Sequence, residues 1–363
     1  MDPNSQWYYN SALKLRLPVA ECEAIEGLKL TFGKKIYYFF DKATPNNNST
    51  SSFMCTNKYW INNILRDAGI PVPKARLIDG SKYNIDTLVT IISELKFPLV
   101  VKPVLWSSKG IDVICCIPNI KELTKICDLL IKVYPFLLVE EYHANLTDYR
   151  VLIFNGKILD VIARYPAFVI GNGKNTIEEL AHIKNIDRSN TSSLLQPILF
   201  DYETNFCLGN QGLTKESVPE NDQRVQINYT CNSSRGGELK SQPITMHKEN
   251  KKLFLNVAKT LGLSLVGLDV LCKDINQPLI PNGGVIIEAN HAPSIRIHEE
   301  GIGGKPKQVT SIILKTYIYK HPFYYLLHLA KQIKHRILFA IIAAILITTP
   351  SIILLLNMLL RSK

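Results

Sequence analysis

The sequence lacks the cysteine spacing of a zinc site and the pairing pattern of a disulfide framework. Its eight cysteines are spread along the chain apart from the adjacent pair Cys115 and Cys116, and no C-x-x-C occurs. This usage is typical of reduced thiols in a cytosolic setting. We therefore expect neither structural zinc nor disulfides.

Two common nucleotide-binding motifs are also missing. The chain has no G-x-x-x-x-G-K-[ST] and no G-x-G-x-x-G, so a P-loop and a Rossmann fingerprint are excluded. The stretch SSKG at 107–110 could wrap a phosphate through its backbone N–H groups, but its single glycine makes this a weak signal.

Nucleic acid is not expected as a partner, although the formal net charge is +11. The basic residues are scattered, without zinc-finger spacing or an aromatic–basic run. The charge instead favours smaller anions or a lipid surface.

The two ends of the chain differ in apolar content. The opening MDPNSQWYYN has no apolar stretch, so no signal peptide is expected. By contrast, 337–360 is an uncharged apolar run long enough to span a bilayer. The preceding segment 331–336 is more basic than the following 361–363, which predicts a single-pass membrane protein with its main body cytoplasmic. A buried core helix is the alternative.

Apolar periodicity, turn residues and capping patterns predict short helices and strands in an irregular order. Residues 44–52 are predicted to form a loop, and Asn155-Gly156 predicts a hairpin between two apolar runs. Helices are predicted at 57–69, 118–134, from 176, 247–263 and 306–319, and strands at 34–40, 97–103, 136–142, 264–271 and 283–289. Helices and strands do not alternate cleanly, so the predicted class is α+β with several small sheets.

Oxygen ligands interrupt the last two predicted strands. Asp269 lies within an apolar strand, and Glu288 and Asn290 share one face of the next because alternate strand residues point the same way. A buried carboxylate needs a cationic partner. A nearby lysine or arginine would serve, but three oxygen ligands on adjoining strands favour magnesium, with phosphate oxygens completing its coordination.

Two lysines are candidates for holding those phosphates. Lys102 ends the buried strand FPLVVKP, where packing explains a lysine poorly, and Lys58 begins a predicted helix. Taken alone, each lysine is more typical of a solvated surface residue.

Several long motifs, in this order, resemble the ATP-grasp superfamily, in particular the ATP-grasp portion of cyanophycin synthetases and the related domain of bifunctional glutathione synthetases. The resemblance covers nearly all of 54–315. It is carried by NKYWINNILRDAGIPVP, FPLVVKP, the run from LLVEEY to GNGKNTIEEL, NSSRGGE, LVGLDVLCKDI and GVIIEANHAPSIRIHEEGIGGKP.

The resemblance implies a role for each candidate residue. Lys58 and Lys102 would hold the phosphates of ATP, and Asp148 would lie near the ribose. The strand end Glu140, Glu141 and Tyr142 would read the adenine edge with its backbone, and Asp269, Glu288 and Asn290 would bind Mg²⁺, or Mn²⁺ in its place. Arg164 would face either phosphate or the acyl-phosphate, and Arg296 and His298 would face the acceptor. Basic residues of 185–245 would hold a carboxylated acceptor: Arg188, Arg224, Arg235 and Lys240.

The implied fold has two α+β subdomains that grip ATP, followed by the transmembrane helix. The expected divisions are a short N-terminal segment at 1–53, an N-terminal subdomain at 54–138, a C-terminal subdomain at 139–325 and the membrane helix at 337–360. Related enzymes form dimers or tetramers, so a homo-oligomer is an open alternative to a monomer.

The implied activity is a membrane-anchored, ATP-dependent carboxylate–amine ligase. It would join a small carboxylate, such as an amino acid or peptide, to an amine through an acyl-phosphate. The glycine-poor stretch SSKG leaves a second hypothesis open, a nucleotide-binding but inactive module recruited to a membrane as a regulatory or partner-binding protein. A third is a different ATP-grasp chemistry, such as ligation to a thiol.

Overall fold

A computed structural model describes residues 1–334 and 337, except 106–109 and 244. The helices are α1 (Pro3–Lys14), α2 (Ser49–Met54), α3 (Lys58–Asp67), α4 (Ile85–Ile92), α5 (Ile120–Leu130), α6 (Ile177–Thr191), α7 (Tyr202–Gly209), α8 (Lys248–Thr260), α9 (Arg296–Glu299) and α10 (Val309–Lys320). The strands are β1 (Val19–Cys22), β2 (Gly27–Phe32), β3 (Lys35–Phe39), β4 (Ala75–Asp79), β5 (Leu99–Pro103), β6 (Ile114–Ile117), β7 (Phe136–Glu141), β8 (Thr147–Phe154), β9 (Lys157–Tyr165), β10 (Phe168–Ile170), β11 (Arg224–Gln226), β12 (Glu238–Gln242), β13 (Leu265–Cys272) and β14 (Val285–Asn290).

The chain divides into two compact units. One joins Met1–Asp41 to the described residues from Thr310 onward, and the other is Lys42–Val309. The predicted subdomains at 54–138 and 139–325 follow a different criterion, their expected part in nucleotide binding, and their boundaries remain a prediction.

The first unit contains a three-stranded antiparallel sheet in the order β1-β2-β3. Asp2 caps α1 by accepting hydrogen bonds from the backbone of Asn4 and Ser5, which satisfies two of its free N–H groups. The ring of Tyr317 in α10 packs edge-on against Tyr37 at 4.8 Å. Sequence analysis gave a weak signal for Met1–Asp41, where it predicted only the strand at 34–40, which β3 confirms. The helix predicted at 306–319 corresponds to α10.

The second unit contains a four-stranded sheet in the order β4-β7-β5-β6, with every pair antiparallel. The helices α4 and α5 cover one face, where Ile78, Leu99, Ile117 and Leu123 are fully buried. This packing leaves Lys102 at the end of β5 and Glu140 near the end of β7, both buried.

The five-stranded sheet has the order β12-β9-β8-β13-β14 and is also antiparallel throughout. Alternation gives its two faces opposite characters. One face packs on α3 and α8, and its residues Val151, Val161 and Val266 lie in the same core cluster as Phe254 of α8. Intervening positions place polar residues on the other face: Asp148, Arg150, Asp160, Arg164, Asp269, Glu288 and Asn290.

A β-bulge at Ile287 decides which residues of β14 reach the polar face. Asp269 pairs with Glu288 and the next residue, Val270, pairs with Ile286, so Ile287 is the extra residue. Without the bulge, Ile286 and Glu288 would point the same way; with it, Ile286 lies in the apolar core.

The α+β class is confirmed, as are most predicted elements. The hairpin at Asn155-Gly156, the capping box at Thr176 and the pairing of β13 with β14 all occur. The loop predicted at 44–52 is wrong in its second half, because Asn48 caps α2.

The predicted membrane segment at 337–360 lies outside the described residues apart from Ile337. The phosphate stretch at 107–110 does so apart from Gly110. Within the part of the chain that the structure describes, no helix has both the length and the apolar character needed to cross a bilayer.

Candidate active site

The centre of the site is a buried carboxylate shared by two arginines. Asp269 Oδ1 lies 2.7 Å from Arg150 Nε and 3.1 Å from Arg164 Nη2. The strand register explains this contact, because Asp269 in β13 lies directly opposite Arg150 in β8. The cationic partner that a buried carboxylate requires is therefore supplied at least in part by arginine.

Asp148 completes a second buried pair. Both of its oxygens accept hydrogen bonds from Arg164 Nη2, at 2.7 and 2.9 Å, and one also accepts from Nε. Burial raises the pKa of Asp148 to about 6, with Arg164 opposing that effect and Asp269 adding to it. Burial alone would lower the pKa of Arg164, but Asp148 and Asp269 raise it, so the guanidinium stays charged.

Glu288 and Asn290 extend this row onto β14. Glu288 lies opposite Asp269 in the strand register, and Asn290 Nδ2 lies 3.4 Å from Asp269 Oδ2. The structure thus brings the three predicted metal residues together on one face. Among the described residues, no cluster of three His, Cys, Asp or Glu side chains is placed to hold a metal ion, and this set has only two such residues because its third member is an amide.

The two predicted phosphate lysines are also brought together. Lys102 Nζ lies 2.7 Å from Glu140 Oε2, with both side chains almost fully buried. Burial lowers the pKa of Lys102, but Glu140 and then Glu288 outweigh it and the net pKa is raised. Burial lowers the pKa of Lys58 and Lys102 lowers it further, while Glu288 and Glu140 act in the opposite direction. All four groups therefore share one electrostatic environment.

The strand end predicted to read adenine is held by neighbouring strands. The backbone N–H of Glu141 donates to Lys74 O, and that of Tyr142 donates to Pro98 O. The Tyr142 ring packs edge-on against Tyr229 at 5.9 Å. Glu140 contributes a side chain to the lysine environment, which sequence analysis did not predict.

The residues predicted on the acceptor side are mostly engaged with protein groups. Arg296 Nε donates to Glu300 Oε1 at 2.7 Å, and Arg188 donates to three backbone carbonyls. Arg235 is paired with Glu203 at 2.7 Å. Arg224 lies over the ring of Phe168, and Lys240 is exposed.

Sequence analysis missed Arg150, although a signal was present. Arg150 stands two residues after Asp148 in a predicted strand, so both must share a face. It also missed the buried pair of Asp160 and His298, 2.8 Å apart, because its two members are far apart in sequence.

For the ATP-dependent activity that the sequence resemblance implies, replacing Gly267 with alanine is expected to lower ATP turnover about tenfold while the protein still folds. An added Cβ would lie 2.5 Å from Arg150 Nη1 and 2.9 Å from Pro293 Cβ, so the flexible arginine must move away from Asp269. A shift of this kind next to reacting groups is costly to a reaction rate. The measurement is ATP turnover together with thermal unfolding. Gly209→Ala is the matched control, since its added Cβ meets nothing within 4 Å, and equal turnover in both variants would contradict the prediction.

Comparison with known proteins identifies the family of the domain. Residues 55–167 match the RimK-like ATP-grasp domain family. The chain is 34% identical over 257 residues to cyanophycin synthetase from Synechocystis sp., covering 69% of this chain and 29% of that protein. It is 26% identical over 297 residues to the glutathione biosynthesis bifunctional protein GshAB from Pasteurella multocida, covering 79% of this chain and 39% of that protein.

A solved structure supports the same fold. The crystal structure of a bifunctional glutathione synthetase from Pasteurella multocida matches with a TM-score of 0.59 and 24% identity, covering 88% of this chain and 44% of that chain. The present chain thus spans less than half the length of these relatives.

The fold and the family match together identify an ATP-grasp domain in this chain. The chain carries a RimK-like ATP-grasp domain, and it resembles the ATP-grasp portion of cyanophycin synthetases, as its motifs predicted.

Proposed function

We propose that the chain is an ATP-dependent ligase that joins a small carboxylate to an amine. The carboxylate oxygen attacks the γ-phosphate of ATP, ADP leaves, and the amine then displaces phosphate from the acyl-phosphate. The observation that carries this proposal is the polar row Arg164, Asp148, Arg150, Asp269 and Glu288 on one sheet face. Two fixed arginines beside carboxylates suit a reaction that moves negative charge between phosphate and acyl oxygen.

Magnesium fits the oxygen ligands present. Asp269 Oδ1 carries the short arginine contacts, while the contacts of Oδ2 with described residues are long, at 3.3 Å to Arg150 and 3.4 Å to Asn290. That weakly bonded oxygen, with the carboxylate of Glu288 and the amide oxygen of Asn290, would hold Mg²⁺, for which Mn²⁺ could substitute. When bound, the ion would neutralise phosphate charge and orient the nucleotide.

The protein's own cations would act at the phosphates and at the reacting centre. Lys58 and Lys102 would bind phosphate oxygens. Lys102 would then interact with both a phosphate and the carboxylate of Glu140. Arg150 and Arg164 would stabilise charge on the acyl-phosphate, and their burial supports this because charges act more strongly away from water. Asp148 holds Arg164 in place, which supports a positioning role; the predicted role near the ribose remains a proposal.

The adenine and acceptor ends of the site are proposed by resemblance. The backbone of Glu140, Glu141 and Tyr142 would read the adenine edge through N–H and C=O groups that are not hydrogen-bonded to neighbouring strands. Arg296 would face the acceptor, held in place by Glu300.

Release of ADP and phosphate by the detergent-solubilised full chain tests the ligase proposal. MgATP would be supplied with pooled amino acids, dipeptides and polyamines, and product masses read in the same wells. We expect ADP release that depends on one carboxylate–amine pair, with a product lighter than the two by one water. Tight ATP binding without release in any pool would overturn the ligase proposal in favour of a nucleotide-binding module.

Membrane anchoring is proposed from the sequence alone, on the apolar run at 337–360 and its basic leading flank. Removal of 338–363 is expected to abolish association with membranes and leave ATP affinity unchanged within about twofold, because the ATP-site residues lie in Lys42–Val309. Flotation of both proteins with lipid vesicles measures the first effect and calorimetric titration with MgATP the second. Failure of the full chain to float would contradict the anchor. Loss of ATP binding on truncation would show that the tail supports the fold.

A further inference from the structure

A buried histidine–aspartate pair lies on the same sheet face as the candidate active site. His298 Nδ1 is 2.8 Å from Asp160 Oδ2, and the two side chains are 0% and 2% exposed. Asp160 and Arg164 are four residues apart in β9, so they point to the same face. Through the register of the strands, Asp160 falls in the same cross-strand row as Gly267 and Asn290.

Each member of this pair keeps one polar atom without a hydrogen-bond partner among the described residues. These atoms are His298 Nε2 and Asp160 Oδ1, and both are buried. Leaving a buried polar atom without a hydrogen-bond partner destabilises the folded state. A pair that served only to attach α9 to the sheet would not require an open nitrogen, so the arrangement calls for a chemical use of it.

The charges around His298 favour its neutral form. Burial lowers the pKa of His298; Asp160 raises it, while Arg150 and Arg164 lower it further. The remaining charged residues nearby are Arg296 and Glu299 on its own helix and Lys307, whose backbone N–H donates to His298 O. An ionised Asp160 can only accept, so Nδ1 carries the hydrogen and Nε2 presents a lone pair.

We propose that His298 is the general base of the second half-reaction and that Asp160 is its positioning residue, an inference that rests on the proposed ligase function. As the amine nitrogen bonds to the acyl carbon, the bond from that carbon to the phosphate oxygen breaks and inorganic phosphate leaves. His298 Nε2 accepts the proton that the nitrogen loses, and the proton then passes to phosphate or solvent. Ordinary α-amino and ε-amino groups are largely protonated at neutral pH, so this assignment identifies the acceptor as an alkyl amine of that class.

The choice of nucleophile distinguishes a general-base role of His298 from a purely structural one. Hydroxylamine is largely unprotonated at neutral pH and attacks an acyl-phosphate without a base, giving a hydroxamate. The full chain and its variants would receive MgATP and pooled amino acids, with and without hydroxylamine. Amide and hydroxamate would be measured separately, and thermal unfolding would report on folding.

We expect His298→Gln to lower amide formation about 100-fold or more, the usual contribution of a general base, while hydroxamate formation stays near that of the unchanged protein. Asp160→Asn should show the same selectivity with a smaller loss, about tenfold. His182→Gln, at an exposed position on α6, is the matched control and should change neither rate. An equal fall of both products in His298→Gln would overturn the proposal.

If His298→Gln does not fold, the unchanged protein decides the question. When each rate is divided by the unprotonated fraction of its nucleophile at that pH, acidification should still slow amide formation more steeply than hydroxamate formation, because only the former needs neutral His298. Parallel pH profiles would overturn the proposal. Absence of both products and of ADP release would refute the ligase function, and the present inference with it.

Discussion

Replacing Glu288 with glutamine is expected to lower ATP turnover on the order of 10²–10³-fold or more while leaving the fold intact. The change keeps the shape of the side chain and removes one negative charge. That charge lies opposite Asp269 in the strand register and acts directly on Lys58. The measurement is ADP release at saturating ATP and magnesium, with thermal unfolding followed by circular dichroism.

Glu216→Gln is the matched control, because Glu216 is a highly exposed glutamate that contacts only Lys215, at 3.9 Å, among its described ion pairs. Full activity of Glu288→Gln would remove Glu288 from the metal site. Asp269→Asn is a less selective test, since Asp269 also neutralises Arg150 and Arg164 and its loss would destabilise the protein. Glu288→Gln is therefore the better variant for separating an effect on turnover from an effect on folding.

Replacing Arg164 with glutamine is expected to lower the free energy of unfolding by about 3–5 kcal/mol, because it leaves buried carboxylates without their partner. Asp148 loses a bidentate partner and Asp269 loses one of two arginines. Urea denaturation measures the loss. Arg66→Gln, at an exposed position paired with Asp67, should change stability by no more than about 0.5 kcal/mol. An equally small loss of stability in Arg164→Gln would show that the buried pair of Arg164 and Asp148 contributes little.

The same variant should depend on pH in a defined direction. The pKa of Asp148 is raised by burial to about 6, so the folded protein binds this proton more tightly than the unfolded chain does. Stabilisation from that proton is present at low pH and is lost as the pH rises through about 6. Without Arg164, which lowers this pKa, the effect must grow, so the destabilisation should be smaller at about pH 5 than at about pH 8. Adding Asp148→Asn should recover part of the loss at the higher pH.

The fold could be predicted from sequence wherever apolar periodicity and turn chemistry act locally. The hairpin at Asn155-Gly156 and the strand pair β13–β14 needed only alternation and turn residues. The folding of Met1–Asp41 with residues after Thr310 could not be predicted, because it depends on contacts such as Tyr37 with Tyr317 between distant segments. The bulge at Ile287 could not be predicted for a different reason, because its position depends on how β14 pairs with the neighbouring strand.

The candidate site was predicted as a set of residues but not as a network. Sequence alternation placed Glu288 and Asn290 on one face, and the order of the motifs placed Asp269 beside them. The sharing of Asp269 between Arg150 and Arg164 follows from cross-strand register, which one strand alone does not reveal. The pair of Asp160 and His298 joins a strand to a short helix far along the chain, and no local pattern marks it.

The pairing of charges in the site has a consequence for how ATP arrives. Its principal charged residues are Lys58, Lys102, Arg150 and Arg164, with Glu140, Asp148, Asp269 and Glu288. At neutral pH with these side chains ionised, the two signs cancel, so the net charge of +11 belongs to the rest of the chain. Electrostatic steering towards this site would then be weak. The association rate of ATP should therefore vary little with ionic strength. The excess positive charge lies elsewhere on the chain, where it can attract larger anionic surfaces.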